Sequence, residues 1–252
     1  MLLFFVKQAS AETMDLNLRL EPFRAHPLVP GGDLQTIVGY YLPGPKALRP
    51  HRLLHVPLPD GDTLVVCENR GSTKTAFPRN VLFMHGLGGD AESPYMLRLA
   101  QIFLKRGWRV FRMNHRGAGA GKGLARQLYH SGRSDDISAV LMHLAREYPD
   151  ECTIAVGFSL SGNALLKLMG EQRHPVPESL IGSVAVSPPI ELSRCAAALC
   201  RPRNRIYDWR FMKLLKQAIR EREEAFAGFP HFSFSWRTTL CEFDEMCTAP
   251  LS

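Results

Sequence analysis

A chain of 252 residues that is 45% hydrophobic can bury one large core, and that hydrophobicity excludes an intrinsically disordered protein. The formal net charge of +7 raises nucleic acid as a partner. However, the cations are spread along the chain, the densest run (Arg201-Pro-Arg-Asn-Arg205) is short, and no nucleic-acid motif accompanies it, so that function ranks last.

The apolar start Met1-Leu-Leu-Phe-Phe-Val6 is broken by Lys7 and Gln8, too soon for a signal-peptide core or a bilayer span. The expectation is a cytoplasmic protein with no transmembrane segment. The six cysteines form no CxxC pair and no Cys/His zinc spacing, so reduced thiols and no metal site are expected. Residues 1–50, rich in Pro and Gly, read as an N-terminal extension packed on the domain. Leu53–Pro57 and Thr63–Cys67 flank Asp60-Gly61 as a β-hairpin. A polar stretch from Arg70 to Arg79 leads to Asn80–His85, a continuous apolar run typical of a buried strand.

The chain then alternates. Helical spacing over Glu92–Arg106 ends at Gly107. Trp108–Met113 reads as a strand. Ser134–Tyr148 reads as a helix whose first turn carries Asp135 and Asp136, where the helix dipole favours acids. Thr153–Gly157, Ser161–Glu171 and Leu180–Ser187 follow as strand, helix and strand. This alternation specifies an α/β fold, a mostly parallel sheet with helices on both faces. From Leu192 the pattern changes to a long charged helix over Ile206–Phe226 and an aromatic segment from Phe229 to Trp236, which reads as an insertion over the sheet. The division expected is therefore an extension (1–50), a core (51–191) and a helical cap insertion (192–252).

The chemistry-bearing motif is Val156-Gly-Phe-Ser-Leu-Ser-Gly162, between a strand and a helix. A sharp turn at such a junction lifts a serine hydroxyl from the end of a sheet and demands small residues two before and two after it. Gly157 and Ser161 meet that demand, making Ser159 the candidate nucleophile. The second motif, His85-Gly-Leu-Gly-Gly89, follows a buried strand, and its backbone can point N–H groups at a developing oxyanion. The two donors expected are Leu87 and Leu160. A phosphate-loop reading fails for want of a Gly-Lys-Ser/Thr ending. His85, His115 and Arg116 read as structural residues bracing their loops, with Gly117 and Gly119 allowing a turn near the site. His130 is open between a structural and a catalytic role.

Taken together, these residues resemble the YheT-like branch of the α/β-hydrolase superfamily, which includes hydrolases of medium-chain esters and phospholipids. The resemblance covers His26 to Pro250. It rests on Gly32-Asp-Leu-Gln-Thr-Ile37, His85-Gly-Leu-Gly-Gly89 with Ser93 and Tyr95, and Asn114-His-Arg-Gly117. Tyr129-His-Ser-Gly132 with Asp135-Asp136, Gly157-Phe-Ser-Leu-Ser-Gly-Asn163, and Phe243-Asp-Glu245 with Thr248-Ala-Pro250 complete it. Ser161 departs from the glycine of the family pattern. The resemblance also implies that family members continue beyond the segment matching Thr248-Ala-Pro250, through two strands whose loops carry the acid and the catalytic histidine.

The function implied is a serine hydrolase acting on an acyl or lipid-like ester through an acyl-enzyme on Ser159, with no cofactor. In the order Ser…acid…His, only His174 and His231 follow Ser159, and Glu191 and Asp244 qualify as acids by order alone. The triad acid and histidine are thus expected to be absent from these residues, and turnover impaired. Leu180–Ser187 is expected to be a bare sheet edge. The alternative is a non-catalytic relative serving as a binding or interaction protein.

Overall fold

The computed structural model describes residues 2–5, 22, 24–42, 44–45, 47–71 and 79–251. Part of the expected extension (chiefly 6–21) and most of the polar stretch before the first buried strand (72–78) lie outside them.

The sheet has seven strands in the order β1-β7-β6-β4-β5-β3-β2. The hairpin is β2 (Arg52–Pro57) and β3 (Thr63–Asn69), paired antiparallel around Asp60-Gly61 as expected. Its second strand pairs antiparallel with β5 (Arg109–Asn114). From there β5, β4 (Arg79–Met84), β6 (Cys152–Phe158) and β7 (Leu180–Val186) run parallel.

The parallel strands are joined by α2 (Pro94–Lys105), α3 (Ser134–Glu147) and α4 (Leu160–Glu171). The side-chain period of two decides which helix covers which face. Leu82 and Met84 of β4 join the core made with α3 and α4, whereas Val81 and Phe83 join the core made with Met96 and Ala100 of α2. The crossover direction reverses at β4, because α2 carries the chain to β5 on one side of it and α3 carries it back to β6 on the other. Such a switch point opens a crevice at the carboxyl ends of the strands. The loops after β4 and β6, which hold both motifs, lie at that crevice.

The N-terminal region differs from the sequence expectation. Backbone of β1 (Leu2–Phe5) pairs antiparallel with β7, Leu2 opposite Val186 and Phe5 opposite Ser183. The edge over Leu180–Ser187, expected to be bare, is therefore covered along Ser183–Val186, where β1 pairs with it from within the chain. A further helix, α1 (Gly32–Tyr41), also forms inside the region read as extension.

Beyond β7 come α5 (Leu192–Leu199), α6 (Arg205–Ala225) and α7 (Leu240–Phe243), the last running on into a π-type turn over Asp244–Thr248. Asp208, Met212, Leu215, Ile219 and Arg222 form the buried stripe of α6 at helical spacing. Met212, Leu215 and Ile219 pack with Leu240, Phe243 and Cys247 into a cluster of their own that meets the core at Leu87 and Leu128. The two polar residues on the stripe fasten it at both ends. Asp208 accepts from Leu240 N–H at 2.9 Å, and Arg222 donates to the carbonyls of Arg116 at 2.8 Å and Gln127 at 3.1 Å. Among the described residues no helix is long and apolar enough to cross a membrane.

Candidate active site

Ser159 sits between β6 and α4 with φ 51° and ψ −116°, in the left-handed half of backbone space that non-glycine residues avoid. Holding a serine there costs on the order of 1–3 kcal/mol, and such strain gathers at functional sites. Neighbouring contacts enforce the turn. Ser159 N–H donates to Val186 O at 2.9 Å, tying the elbow to the end of β7. A Cβ on Gly157 would lie 2.5 Å from Ser161 O, so only glycine permits the chain to fold back this tightly.

The loop after β4 reaches the serine directly. A Cβ on Gly86 would lie 3.1 Å from Ser159 Cβ and 3.8 Å from its Oγ. Three of the loop's N–H groups are already engaged: Gly86 N–H with Tyr95 OH at 3.0 Å, Gly88 N–H with Tyr129 OH at 2.8 Å, and Gly89 N–H with Gly86 O at 3.1 Å. The Leu87 N–H has no partner among the described residues. Nor does that of Leu160, which opens α4, where the first N–H groups of a helix are unpaired and its dipole attracts negative charge. Leu87, Ser159 and Leu160 line one cavity of about 700 Å³.

Helices α5, α6 and α7 line the other side of that cavity. Leu192 and Leu199 of α5, Phe211 and Leu215 of α6, and Leu240 and Phe243 of α7 make its wall apolar. Polar side chains also line it, among them Tyr129, His130, Ser131, Ser193, Arg222 and Asp244. Asp244 accepts from Thr248 Oγ1 at 2.7 Å, and burial raises its carboxyl above the ordinary range, outweighing that bond.

Ser159 Oγ forms no hydrogen bond with any described residue. The two histidines that follow it in sequence are elsewhere. His174 lies near Glu171 at 4.0 Å and lines a different cavity beside Asp60 and Arg116, while His231 is 83% exposed and pairs with Glu223 at 3.3 Å. Glu191 is exposed and bonds Arg194 at 3.0 Å, whereas Asp244 reaches the cavity. His130 also reaches it, but its Nδ1 accepts from Gly132 N–H at 3.1 Å. The neutral ring therefore carries its proton on Nε2, the tautomer that donates rather than takes a proton there.

A buried polar scaffold supports both loops. His85 Nδ1 donates to Gly86 O at 2.8 Å and its Nε2 accepts from His115 N–H at 3.2 Å. Ser161 Oγ donates to His85 O, and His115 Nε2 donates to Ser161 Oγ at 2.6 Å. Burial lowers the pKa of His85 to about 4 and that of His115 well below its ordinary value, so both rings are neutral at physiological pH. Arg116 extends the scaffold outward, bonding Asp136 of α3 at 2.8 Å and Asp60 and Asp62 of the hairpin turn at 2.7 Å each. The bracing roles read for His85, His115 and Arg116 match these contacts.

Sequence reasoning missed Arg222, because its role depends on the cap docking across the loop after β5. A Cβ on Gly117 would lie 2.5 Å from Arg222 Nη2, so the glycine makes room for the guanidinium. The only signal was an arginine on the apolar stripe of an amphipathic helix.

The chain is similar to known proteins. Residues 77–226 match the profile of the Hydrolase_4 family, described as serine aminopeptidase, S33. The chain is 30% identical over 195 residues to the candidate esterase YheT of Escherichia coli (strain K12), covering 76% of this chain and 57% of that one. It is 30% identical over 144 residues to monoacylglycerol lipase ABHD2 of Danio rerio (56% and 34% covered) and 24% identical over 171 residues to phospholipase ABHD3 of Mus musculus (67% and 41%). The chain thus spans between about a third and just over half the length of these relatives. Among solved structures, a lidless α/β serine hydrolase from Xanthomonas campestris is similar with a TM-score of 0.42 and 21% identity, over 52% of this chain and 60% of that one. This chain belongs to the Hydrolase_4 family of α/β serine hydrolases, in its YheT-like branch.

Proposed function

We propose that the chain carries the acyl-binding and nucleophilic half of a carboxylic ester hydrolase, with residues 51–191 as the core and 192–252 as a cap over the acyl chain. One observation carries this reading: a strained serine shares a largely apolar cavity with two backbone N–H groups that lack partners among the described residues. Ser159 Oγ attacks the ester carbonyl carbon, and the oxyanion formed is held by the N–H groups of Leu87 and Leu160. Its collapse expels the alcohol and leaves an acyl-enzyme, which water then hydrolyses. The apolar wall suits an acyl or lipid-like chain, and the YheT and ABHD2 relatives carry esterase and lipase names. Serine acyl transfer requires no metal or organic cofactor.

The missing hydrogen bond to Ser159 Oγ sets the expected rate. In a serine hydrolase the loss of the base alone costs on the order of 10^6 in turnover, leaving residual catalysis from oxyanion donors and binding. This chain is therefore expected to cleave a p-nitrophenyl ester slowly, and only with Ser159 present. A rate unchanged by Ser159→Ala would refute the proposed nucleophile, and an ordinary esterase rate would refute the missing base.

The same observation supports a second reading, in which the chain binds acyl compounds without turning them over. It separates from the first by fatty-acid binding that survives Ser159→Ala with no acyl-enzyme in the wild type.

A further inference from the structure

Two of the exposed or half-exposed thiols lie together in the cap. Cys200 Sγ, at the carboxyl end of α5, is 3.1 Å from Cys241 Sγ, in the first turn of α7. Both are free thiols. A disulfide requires about 2.05 Å between the sulfurs, so roughly 1 Å of closure separates the pair from a bond. The other four cysteines do not share this arrangement: Cys67 and Cys247 are buried, and Cys152 of β6 and Cys195 of α5 are exposed with no sulfur partner among the described residues.

The elements joined by this pair are held unequally. α7 is fixed by a capping box between Thr239 and Glu242 and by the bond from Leu240 N–H to Asp208 of α6. α6 is in turn fixed to the core through Arg222. α5, by contrast, has no buried residue, although Leu192 and Leu199 line the Ser159 cavity. Of the three helices α5, α6 and α7 that line that cavity, it alone contributes no buried residue.

We infer that Cys200 and Cys241 form a reversible redox latch, a disulfide that fastens α5 to α7 and slows passage into the Ser159 cavity. The oxidant is a peroxide. Exposed Cys200, as thiolate, attacks one peroxide oxygen; the O–O bond breaks, and a sulfenic acid and water result. The Cys241 sulfur then attacks the sulfenic sulfur, forming the S–S bond and releasing the second water. In total, two thiols lose two electrons and two protons to one hydrogen peroxide. Its hydrogen bond with Cys200 and its partial burial hold the Cys241 thiol above the ordinary range. Cys200 is the more exposed of the two and so meets the oxidant first. A thiol such as dithiothreitol reverses the bond by exchange.

Bond formation is independent of the reading of Ser159 as a nucleophile; only the consequence for substrate rests on that reading. The experiment therefore uses no catalysis. The chain is treated with hydrogen peroxide, mapped by non-reducing peptide mass spectrometry, and its dissociation rate for dansylated undecanoic acid is measured by fluorescence. The expected result is a Cys200–Cys241 cross-link and several-fold slower dissociation, both reversed by dithiothreitol and both absent in Cys200→Ser and Cys241→Ser. A cross-link of Cys200 to Cys195 or to a second chain, or a sulfinic acid at Cys200 with Cys241 still a thiol, would overturn the pairing. A Cys200–Cys241 bond that leaves dissociation unchanged would overturn the latch. Absence of esterase turnover would bear on the proposed function and leave both readouts intact.

Discussion

His115 Nε2 lies 2.6 Å from Ser161 Oγ, two residues beyond the candidate nucleophile, and that hydroxyl also donates to the carbonyl of His85. One fully buried side chain thus connects the elbow after β6 to the loops after β4 and β5. The resemblance marks this position as glycine in related chains, and here the added hydroxyl finds both a donor and an acceptor. Ser161→Ala removes both bonds while keeping the elbow's backbone, leaving a buried imidazole N–H and a buried carbonyl unpaired. The expected loss is about 2 kcal/mol, since an unsatisfied buried group costs about 1–3 kcal/mol. Urea denaturation of the variant beside the wild type measures it. A midpoint equal to the wild type's would show that the network contributes nothing.

The two glycines nearest Ser159 are expected to fail in different ways. At Gly86 an added methyl meets Ser159 Cβ at 3.1 Å, a contact that small side-chain shifts relieve. Gly86→Ala should therefore keep a cooperative melt while reducing acylation of Ser159. At Gly157 the methyl meets backbone, Ser161 O at 2.5 Å, and nothing can move without opening the turn. Gly157→Ala should lower stability by at least about 2 kcal/mol, within the range for overpacking. Thermal melts of both, with acylation followed by mass, separate the two outcomes.

Arg222 is the buried link between the cap and the loop after β5. Arg222→Met keeps much of the stem's packing but leaves the carbonyls of Arg116 and Gln127 without their donor. Loosening of the cap is expected before loss of the core. Amide hydrogen exchange should rise across α5 to α7 while β4 and β6 stay protected. Uniform exchange throughout would mean that cap and core open as one unit.

Glu68 is fully buried and meets Arg52 at 3.0 Å, Arg70 at 2.8 Å and Arg109 at 3.5 Å. Burial alone would raise its pKa. The hydrogen bond from Arg70 and the charges of Arg70 and Arg52 outweigh that and hold the carboxyl below its ordinary value. A depressed native pKa contributes stability that is complete above the unfolded value, about 4.3 for glutamate, and fades as pH falls through the native one. Glu68→Gln should therefore destabilise at neutral pH by about 1–2 kcal/mol, the scale of charged hydrogen bonds to partly exposed partners. The difference from wild type should shrink in melts below about pH 4. A difference independent of pH would assign the effect to packing.

Much of this was legible from the sequence because it depends on local order. The apolar runs of β4 and β6, the Asp60-Gly61 hairpin and the small residues around Ser159 each specify their own conformation. The strand at Leu2–Phe5 was not legible. Four apolar residues carry no period that distinguishes a strand from a tail, and the partner, β7, lies far along the chain. The cavity's far wall was equally hidden: Asp244 and Arg222 reach it, and Cys200 separately meets Cys241, only when α5 to α7 fold over the elbow, and no spacing in the sequence encodes that approach.

The central claim is that Ser159, framed by the N–H groups of Leu87 and Leu160, is the residue that takes the acyl group. Its most direct test is prolonged incubation with a long-chain alkyl fluorophosphonate, followed by intact-mass measurement and peptide mapping. The account predicts a single slow adduct on the peptide carrying Ser159, formed faster with the long chain than with a methyl analogue and absent in Ser159→Ala. An adduct mapping to Ser131 or Ser193, or one that forms equally in Ser159→Ala, would contradict it.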